Sequence, residues 1–352
     1  MRIFAPQKPG FSGVPPLTRP LRAPSIPCAP RAFCNFGTSS NENRRAFCIR
    51  AALIFLILLT SLAGCGKPRT EQGGPAAGAA VAITDSFGRT LNLNEYPKRI
   101  VSLAPNMTET LFLLGAGDCI VGRTDYCDYP PEAAKIPSVG TITTPNIEHI
   151  ISLRPDLIVG STHFQKETLE ALENLNIPVY LGIIYSDYEE IFDMIMTLGR
   201  IVDKTGVAEN IVRGMRQRKK AVEEAVQNAA EKPRVYYMIS YGDAGDYTAG
   251  RDTFISALIK SAGGLNAGDD IEGWRYSVEA LFRDEPDIIL CGALSGGAQA
   301  LAKTPPYNRL KAVREGRVCE IDSNLLDRIG PRNIEGLEML AKILHSGLDI
   351  SP

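Results

Sequence analysis

Histidine is nearly missing: there are three in 352 residues, too few to suit a histidine-built zinc or di-iron centre. Tryptophan occurs once, as Trp274. The eight cysteines fall in no CxxC or other ligand spacing. Only one apolar run is long enough to suggest a membrane, which excludes a chain that crosses the bilayer many times. A phosphate-cradling GxxxxGK[ST] loop is also lacking, since Gly66-Lys67 is followed by Pro68. The stretch Leu294-Ser295-Gly296-Gly297-Ala298-Gln299 therefore reads as a Gly-rich turn and not as part of an ATPase. No Gly-x-Ser-x-Gly elbow is present. Leu114-Gly115-Ala116-Gly117 follows a helix, where a dinucleotide-binding loop would follow a strand. Most enzyme classes are thereby set aside. A metal-cofactor or chelatase-type enzyme is the alternative of another class.

The formal net charge of −2 conceals an asymmetry. Residues 1–50 carry eight basic groups against the single acid Glu42, whereas the rest of the chain holds 30 basic and 39 acidic groups. An acidic body argues against nucleic acid as a partner. Hydrophobic residues make up 44% of the chain, and there are 12 Tyr and 12 Phe. That supplies apolar material for sizeable cores, and the length predicts two lobes with appendages.

The apolar run from Ala51 to Leu59 follows Arg44, Arg45 and Arg50 and ends in Leu62-Ala63-Gly64-Cys65. A basic flank, a short apolar core and small residues before a cleavage point make up a secretory signal. Leu-Ala-Gly-Cys resembles a bacterial lipobox, in which the Cys65 thiol is acylated and becomes the new N-terminus. Residues 1–65 are thus expected to be an unstructured extension plus signal, and 66–80, rich in Gly, Ala and Pro, a flexible tether. Export argues against a redox or chelatase enzyme of the cytoplasm. It also leaves Cys119, Cys127, Cys291 and Cys319 in a disulfide-permissive setting, as bridges or as buried thiols.

Comparing the chain with itself reveals a repeat. Residues 147–159 read IEHIISLRPDLIV and residues 278–290 read VEALFRDEPDIIL. Each has a β-branched residue followed by Glu, an apolar residue two after the Glu, Pro-Asp seven and eight after it, and a three-residue apolar run. The pattern predicts a short helix capped by Asn146 or Ser277 and stopped by Pro155 or Pro286. A strand covered on both faces should follow, at Leu157–Val159 or Ile288–Leu290. Further strands are expected at Ile100–Leu103, Pro178–Leu181, Arg234–Ile239 and Arg317–Ile321, and helices at Met107–Leu114, Lys166–Leu175 and Ile334–His345. Between the halves lie helical patterns alone, Tyr188–Val202 and then Val207–Ala230, the second long enough to cross from one lobe to the other. The expected fold is two Rossmann-like α/β lobes, 81–185 and 232–352, joined through a helical connector at 186–231, with a ligand cleft between the lobes.

RIVSLAPNMTETLFLLGAGDCIVG, TDYCDYPPEAAKIPSVG, NIEHIISLRPDLIVG, YTAGRDTF and RIGPR together resemble the helical-backbone (class III) substrate-binding proteins of ABC importers. These carry cobalamin, haem or ferric siderophores, and Asp-Tyr-Pro-Pro with the spacing around it is closest to the cobalamin-binding, BtuF-like branch. The resemblance spans about residues 95–345. It implies an extracytoplasmic, lipid-anchored monomer that is no enzyme and holds no intrinsic cofactor or metal. Its ligand is cobalamin, with haem or a ferric siderophore as alternatives, and its partner a permease dimer with ATPase subunits. By the same resemblance Glu148 and Glu279 dock on that permease, and Tyr126 and Trp274 contact the ligand. Flat rings suit a macrocycle because they bury large apolar area at little entropic cost. Ile142–Thr144 and Ser161 depart from the pattern, since the cobalamin branch often has further Trp there. Arg328 and Arg332 are candidates to face a carboxylate-bearing or anionic ligand, with an ion pair inside the lobe as the alternative. Haem would need an axial ligand, for which Tyr241, Tyr247 and His163 are candidates.

Overall fold

Short, wholly apolar segments that alternate with amphipathic ones fold as parallel strands covered on both faces. The computed structural model describes residues 81–162, 165–292 and 297–347. The expected lipobox at Cys65, the tether at 66–80 and His163 lie outside them. A hairpin opens the described chain, with β1 (Val81–Thr84) antiparallel to β2 (Thr90–Leu93). The first lobe then builds a four-stranded parallel sheet from β3 (Ile100–Ser102), β4 (Ile120–Arg123), β5 (Leu157–Gly160) and β6 (Val179–Leu181), in the order β4-β3-β5-β6. Its helices are α1 (Pro105–Leu113), α2 (Ile147–Ser152) and α3 (Lys166–Asn174).

Two helices follow, α4 (Tyr188–Ile201) and α5 (Thr205–Gln227). The second lobe repeats the sheet with β7 (Arg234–Met238), β8 (Leu265–Asn266), β9 (Ile288–Gly292) and β10 (Val318–Ile321), in the order β10-β9-β7-β8. Its helices are α6 (Phe254–Ser261), α7 (Val278–Asp284), α8 (Gly297–Lys303), α9 (Lys311–Arg314), α10 (Asn324–Asp327) and α11 (Asn333–Leu344). Counted within each lobe, the strand order is the same. β7, β8, β9 and β10 are thus the counterparts of β3, β4, β5 and β6.

The repeat has one structural job, performed twice. Asn146 accepts from the His149 N–H at 2.9 Å and Ser277 from the Ala280 N–H at 3.0 Å, each capping a short helix. Each helix ends through a non-glycine residue of positive φ, Arg154 at 47° and Glu285 at 40°. Each of these precedes a proline, which disfavours the right-handed helical conformation in its predecessor. The aspartate that follows reaches the central strand of its own sheet. Asp156 accepts from the Lys98 and Arg99 N–H groups at 2.8 and 3.0 Å, and Asp287 from the Arg234 N–H at 2.9 Å. The carboxylate thereby fixes where β3 and β7 start relative to β5 and β9.

Alternation along the strands divides the core. Ile100, Leu157, Val159, Val235, Tyr237, Ile288 and Leu290 point into one continuous apolar cluster that also takes in α4, α5, α6 and α11. Val101 and Ile158 point the other way, into an outer core of the first lobe, while Tyr236, Met238 and Ile289 enter an outer core of the second. The lobes therefore share their inner core. Helix α5 has 23 residues, roughly 35 Å of helix, and packs on α4 near its start and on α6 and α11 further along. The approach to α4 is close: a Cβ on Gly199 would lie 2.5 Å from that of Ala208. Further along, Arg218 forms a bidentate pair with Glu338 of α11 at 2.7 Å, and Glu223 accepts from Ser261 of α6. Tyr188 of α4 meets Phe254 of α6 edge to face at 5.0 Å between ring centroids.

Candidate functional site

In a parallel sheet every strand delivers its following loop to the same edge, and ligands settle outside that carboxyl edge. Contacts between the halves occur there. Asn106, just past β3, donates to the Ile329 carbonyl at 2.9 Å and to Ser161, just past β5, at 3.2 Å. Ile329 lies on the segment after β10. The loops of one sheet thus meet those of the other.

Tyr126 follows β4 and Trp274 follows β8, so the two expected aromatic contacts occupy equivalent loops, one in each lobe. Tyr126 is 40% exposed. Its loop is held from below by Arg123, whose guanidinium donates to the Thr124, Ala134 and Ile136 carbonyls, and by a Ser138 hydroxyl bond to Asp125. Burial raises the Cys127 thiol pKa, and the neighbouring threonine hydroxyls oppose the shift. Cys119, Cys291 and Cys319 likewise form no disulfide among the described residues. Trp274 is half-buried at the margin of the shared core. Its carbonyl accepts from the Thr248 N–H at 2.8 Å, and Gly273 accepts from the Gly250 N–H at the same distance. A Cβ on Gly250 would stand 2.6 Å from the Gly273 oxygen. That close approach explains the glycine in Thr-Ala-Gly-Arg beside the Trp loop.

Arg328 and Arg332 turn out to face a carboxylate of the protein itself. Arg332 donates through Nε and Nη2 to both oxygens of Glu109, at 2.9 and 3.2 Å, and its guanidinium lies 4.0 Å from the centre of the Tyr129 ring. Arg328 donates to Glu109 at 3.3 Å and to Asp128 at 2.5 Å. The Glu109 side chain is 2% exposed and the two arginines 14% and 13%. Hydrogen bonding from Arg328 holds the Asp128 pKa below the usual carboxylate range, although burial works against it. Burial also works against the charge of Arg328, but its two carboxylate partners outweigh that and raise its pKa. Two basic and two acidic groups balance. Glu109 and Asn106 were not singled out from sequence, and Asp128 and Tyr129 only as part of Asp-Tyr-Pro-Pro, without a role of their own. The available signal was one acid, Glu109, inside the otherwise uncharged segment Met107–Leu114, because a buried charge requires a partner.

Glu148 and Glu279 are both exposed, each in the first turn of its capped helix. A helix that returns the chain from one parallel strand to the next begins at the carboxyl edge, so both acids lie on the edges where the lobes meet. Near Glu279, Asp246 accepts from the Tyr307 hydroxyl at 2.7 Å. Burial raises the Asp246 pKa, the Tyr307 hydrogen bond lowers it, and the Glu279 charge raises it further. Tyr241 stacks edge to face on Tyr307 at 5.1 Å, and Tyr247 bridges Ser240 and Arg275. No group of three or more His, Cys, Asp or Glu among the described residues is placed to hold a metal ion.

A family model described as periplasmic binding protein matches residues 100–325. The chain belongs to this family. An uncharacterized ABC transporter substrate-binding lipoprotein of Bacillus subtilis (strain 168), YvrC, is 31% identical over 84% of this chain and 96% of its own. A cobalamin-binding protein of Halobacterium salinarum is 27% identical over 86% of each. Among solved structures, the periplasmic heme-binding protein RhuT of Roseiflexus sp. RS-1 in apo form superposes with a TM-score of 0.66 at 26% identity, over 70% of this chain and 97% of its own. The two-lobe class III architecture expected from sequence is therefore the observed one, and the chain is an ABC transporter substrate-binding protein, not an enzyme. Such binding proteins act outside the cytoplasm and work with the permease and ATPase components of an importer. No helix among the described residues is long and apolar enough to cross a membrane.

Proposed function

We propose that this binding protein captures a corrinoid between its lobes and delivers it to a permease dimer while held at the membrane through acylated Cys65. The observation that carries the reading is the pair Tyr126 and Trp274, one aromatic from the equivalent loop of each lobe at the meeting carboxyl edges. Two opposed rings grip a flat, mostly apolar macrocycle through buried area. The charge-balanced cluster of Arg328 and Arg332 with Glu109 and Asp128 favours a ligand without strong net charge over a dicarboxylate. The cobalamin-binding relative supports the same choice. Glu148 and Glu279 offer one carboxylate per lobe to a twofold partner, for which carboxylate–Arg bonds are directional. Release follows if docking favours a conformation with weaker affinity for the ligand.

Haem is the second reading, favoured by the likeness to RhuT. It would draw an axial ligand from Tyr241 or Tyr247, and Tyr241 already stacks on Tyr307. Titration of the purified protein with cyanocobalamin, haemin and a ferric siderophore, followed by Trp274 emission and by calorimetry, separates these. Saturation by cyanocobalamin at one site is expected. A silent cyanocobalamin titration beside saturable haemin binding would refute the corrinoid reading and leave the family assignment intact.

A further inference from the structure

Glu109 belongs to the first lobe, on α1, and the described groups that neutralise it, Arg328 and Arg332, both come from the segment between β10 and α11 of the second. A carboxylate with a 2% exposed side chain is strongly disfavoured unless it is paired and hydrogen-bonded. The bonds it receives are charge-assisted and, from Arg332, bidentate. The cluster also has a direction. Asp128 is 63% exposed and marks the outer rim, whereas Glu109 lies inside it, with Arg328 bridging the two. Tyr129, three residues beyond Tyr126, lies under the Arg332 guanidinium. Asn106, one helical turn before Glu109, completes the seam with its bond to Ile329.

We propose that Glu109 is a positioning residue: with Arg328 and Arg332 it forms an ion clasp that holds the two lobes at their closed spacing before ligand arrives, and so fixes the distance between the walls that carry Tyr126 and Trp274. This rests on the cleft reading above only for the last clause. Separation of the lobes at this edge removes both cations from Glu109, while the shared core behind it stays joined through α4, α5, α6 and α11. The clasp thus acts at the mouth of the seam, and the core acts as its hinge. A loosened clasp leaves the same ligand contacts available but lets them come apart sooner, so its loss appears in the dissociation rate more than in the association rate.

The test uses the full chain with donor and acceptor dyes placed through unnatural amino acids at exposed Glu170 on α3 and Lys311 on α9. Energy transfer is read without ligand in the parent, E109Q, R332Q and E109D proteins, and cyanocobalamin dissociation is read in the same samples. E109Q and R332Q are expected to broaden the ligand-free distance distribution towards longer values and to raise the dissociation rate about tenfold. The conservative Glu109→Asp change, which keeps the charge, should restore most of the closed population, a rescue that a purely volumetric role would not give. Unchanged ligand-free distances in folded E109Q and R332Q would overturn the clasp. So would a gain of haemin affinity in E109Q, because the arginines would then be a ligand seat that Glu109 masks. Broadened distances in a protein whose parent form ignores cyanocobalamin would uphold the clasp and refute the corrinoid reading alone.

Discussion

Replacing Glu148 and Glu279, the two acids proposed to dock on the permease, by glutamine removes two charges with little change of side-chain volume. Glu148 and Glu279 are exposed, and their helices are capped independently by Asn146 and Ser277. What the native fold loses is the favourable position of each acid at a helix N-terminus, about 0.3–1 kcal/mol apiece. For a domain of this size 1 kcal/mol lowers Tm by roughly 2–4 °C, so the double variant should melt no more than about 8 °C below the parent. Ligand affinity should stay within about twofold, because neither acid lies in the loops of Tyr126 or Trp274 and 0.4 kcal/mol is about a factor of two. Transport should behave differently. Loss of one carboxylate from a buried carboxylate–Arg pair costs about 2–5 kcal/mol, so each single variant should dock at least about 30-fold more weakly. Uptake of labelled cyanocobalamin by cells that carry E148Q, E279Q or both would measure this, beside calorimetric affinity of the purified variants. Similar losses in the two singles are expected, since the lobes present equivalent acids to equivalent halves of the partner. Parent-like uptake by E148Q/E279Q would refute the docking argument, and loss of ligand binding would refute the division of labour behind it.

Other substitutions probe other layers. Trp274→Ala and Tyr126→Ala should each weaken cyanocobalamin binding about ten- to hundredfold by calorimetry, the effect of uncovering an aromatic side chain worth about 1.5–3 kcal/mol; unchanged affinity in both would remove the aromatic walls from the site. Asp287→Ala should cost about 1.5–3 kcal/mol in denaturant unfolding because it strands the Arg234 N–H, and Asp156→Ala, at the more exposed counterpart, should act in the same direction but less. Asp327 is exposed as a whole, but its carboxyl turns in to accept from the buried Tyr237 hydroxyl at 2.7 Å, and desolvation there raises its pKa despite that bond. Its folded-state pKa thus exceeds the unfolded value of about 3.9, so the parent loses stability as pH rises from about 4 towards that higher pKa. Asp327→Asn mimics the protonated form, and its stability advantage should be near zero at about pH 4 and grow towards pH 7; a parent more stable than D327N at pH 7 would show the sign to be wrong.

The duplicated part of the fold was legible because it obeys local rules that act within a few residues. Asn or Ser before the helix, Pro after it and an apolar triplet beyond describe residues 147–159 and 278–290 completely, and both are observed as helix then strand. The long helix, expected at Val207–Ala230, is observed at Thr205–Gln227. It starts a little earlier because Gly199 lets α4 and α5 approach closely enough for a tight turn at Asp203, whose φ is 54°. Strands β4 and β8 went unseen for the opposite reason. Ile120–Arg123 ends in glycine and arginine, and Leu265–Asn266 has only two residues, so their strand character comes from pairing with β3 and β7 and from no pattern of their own.

The site divides along the same line. Trp274 stands out as the one tryptophan and Tyr126, one of 12 tyrosines, only through the resemblance, and the equivalence of their loops appears only once β4 and β8 are matched. Arg328 and Arg332 also stand out, yet a free guanidinium and a paired one have the same sequence signature. What decides between them is Glu109, which lies 219 residues from Arg328 and 223 from Arg332, a separation that no local rule bridges. A charge on an apolar helix is nevertheless a demand for a partner of opposite sign. In a protein of two lobes sharing one core, a partner on the other lobe makes the residue part of the mechanism that joins them. Glu148 and Glu279, acids exposed to solvent, carry no such internal demand, and the use proposed for them lies with a partner outside the chain.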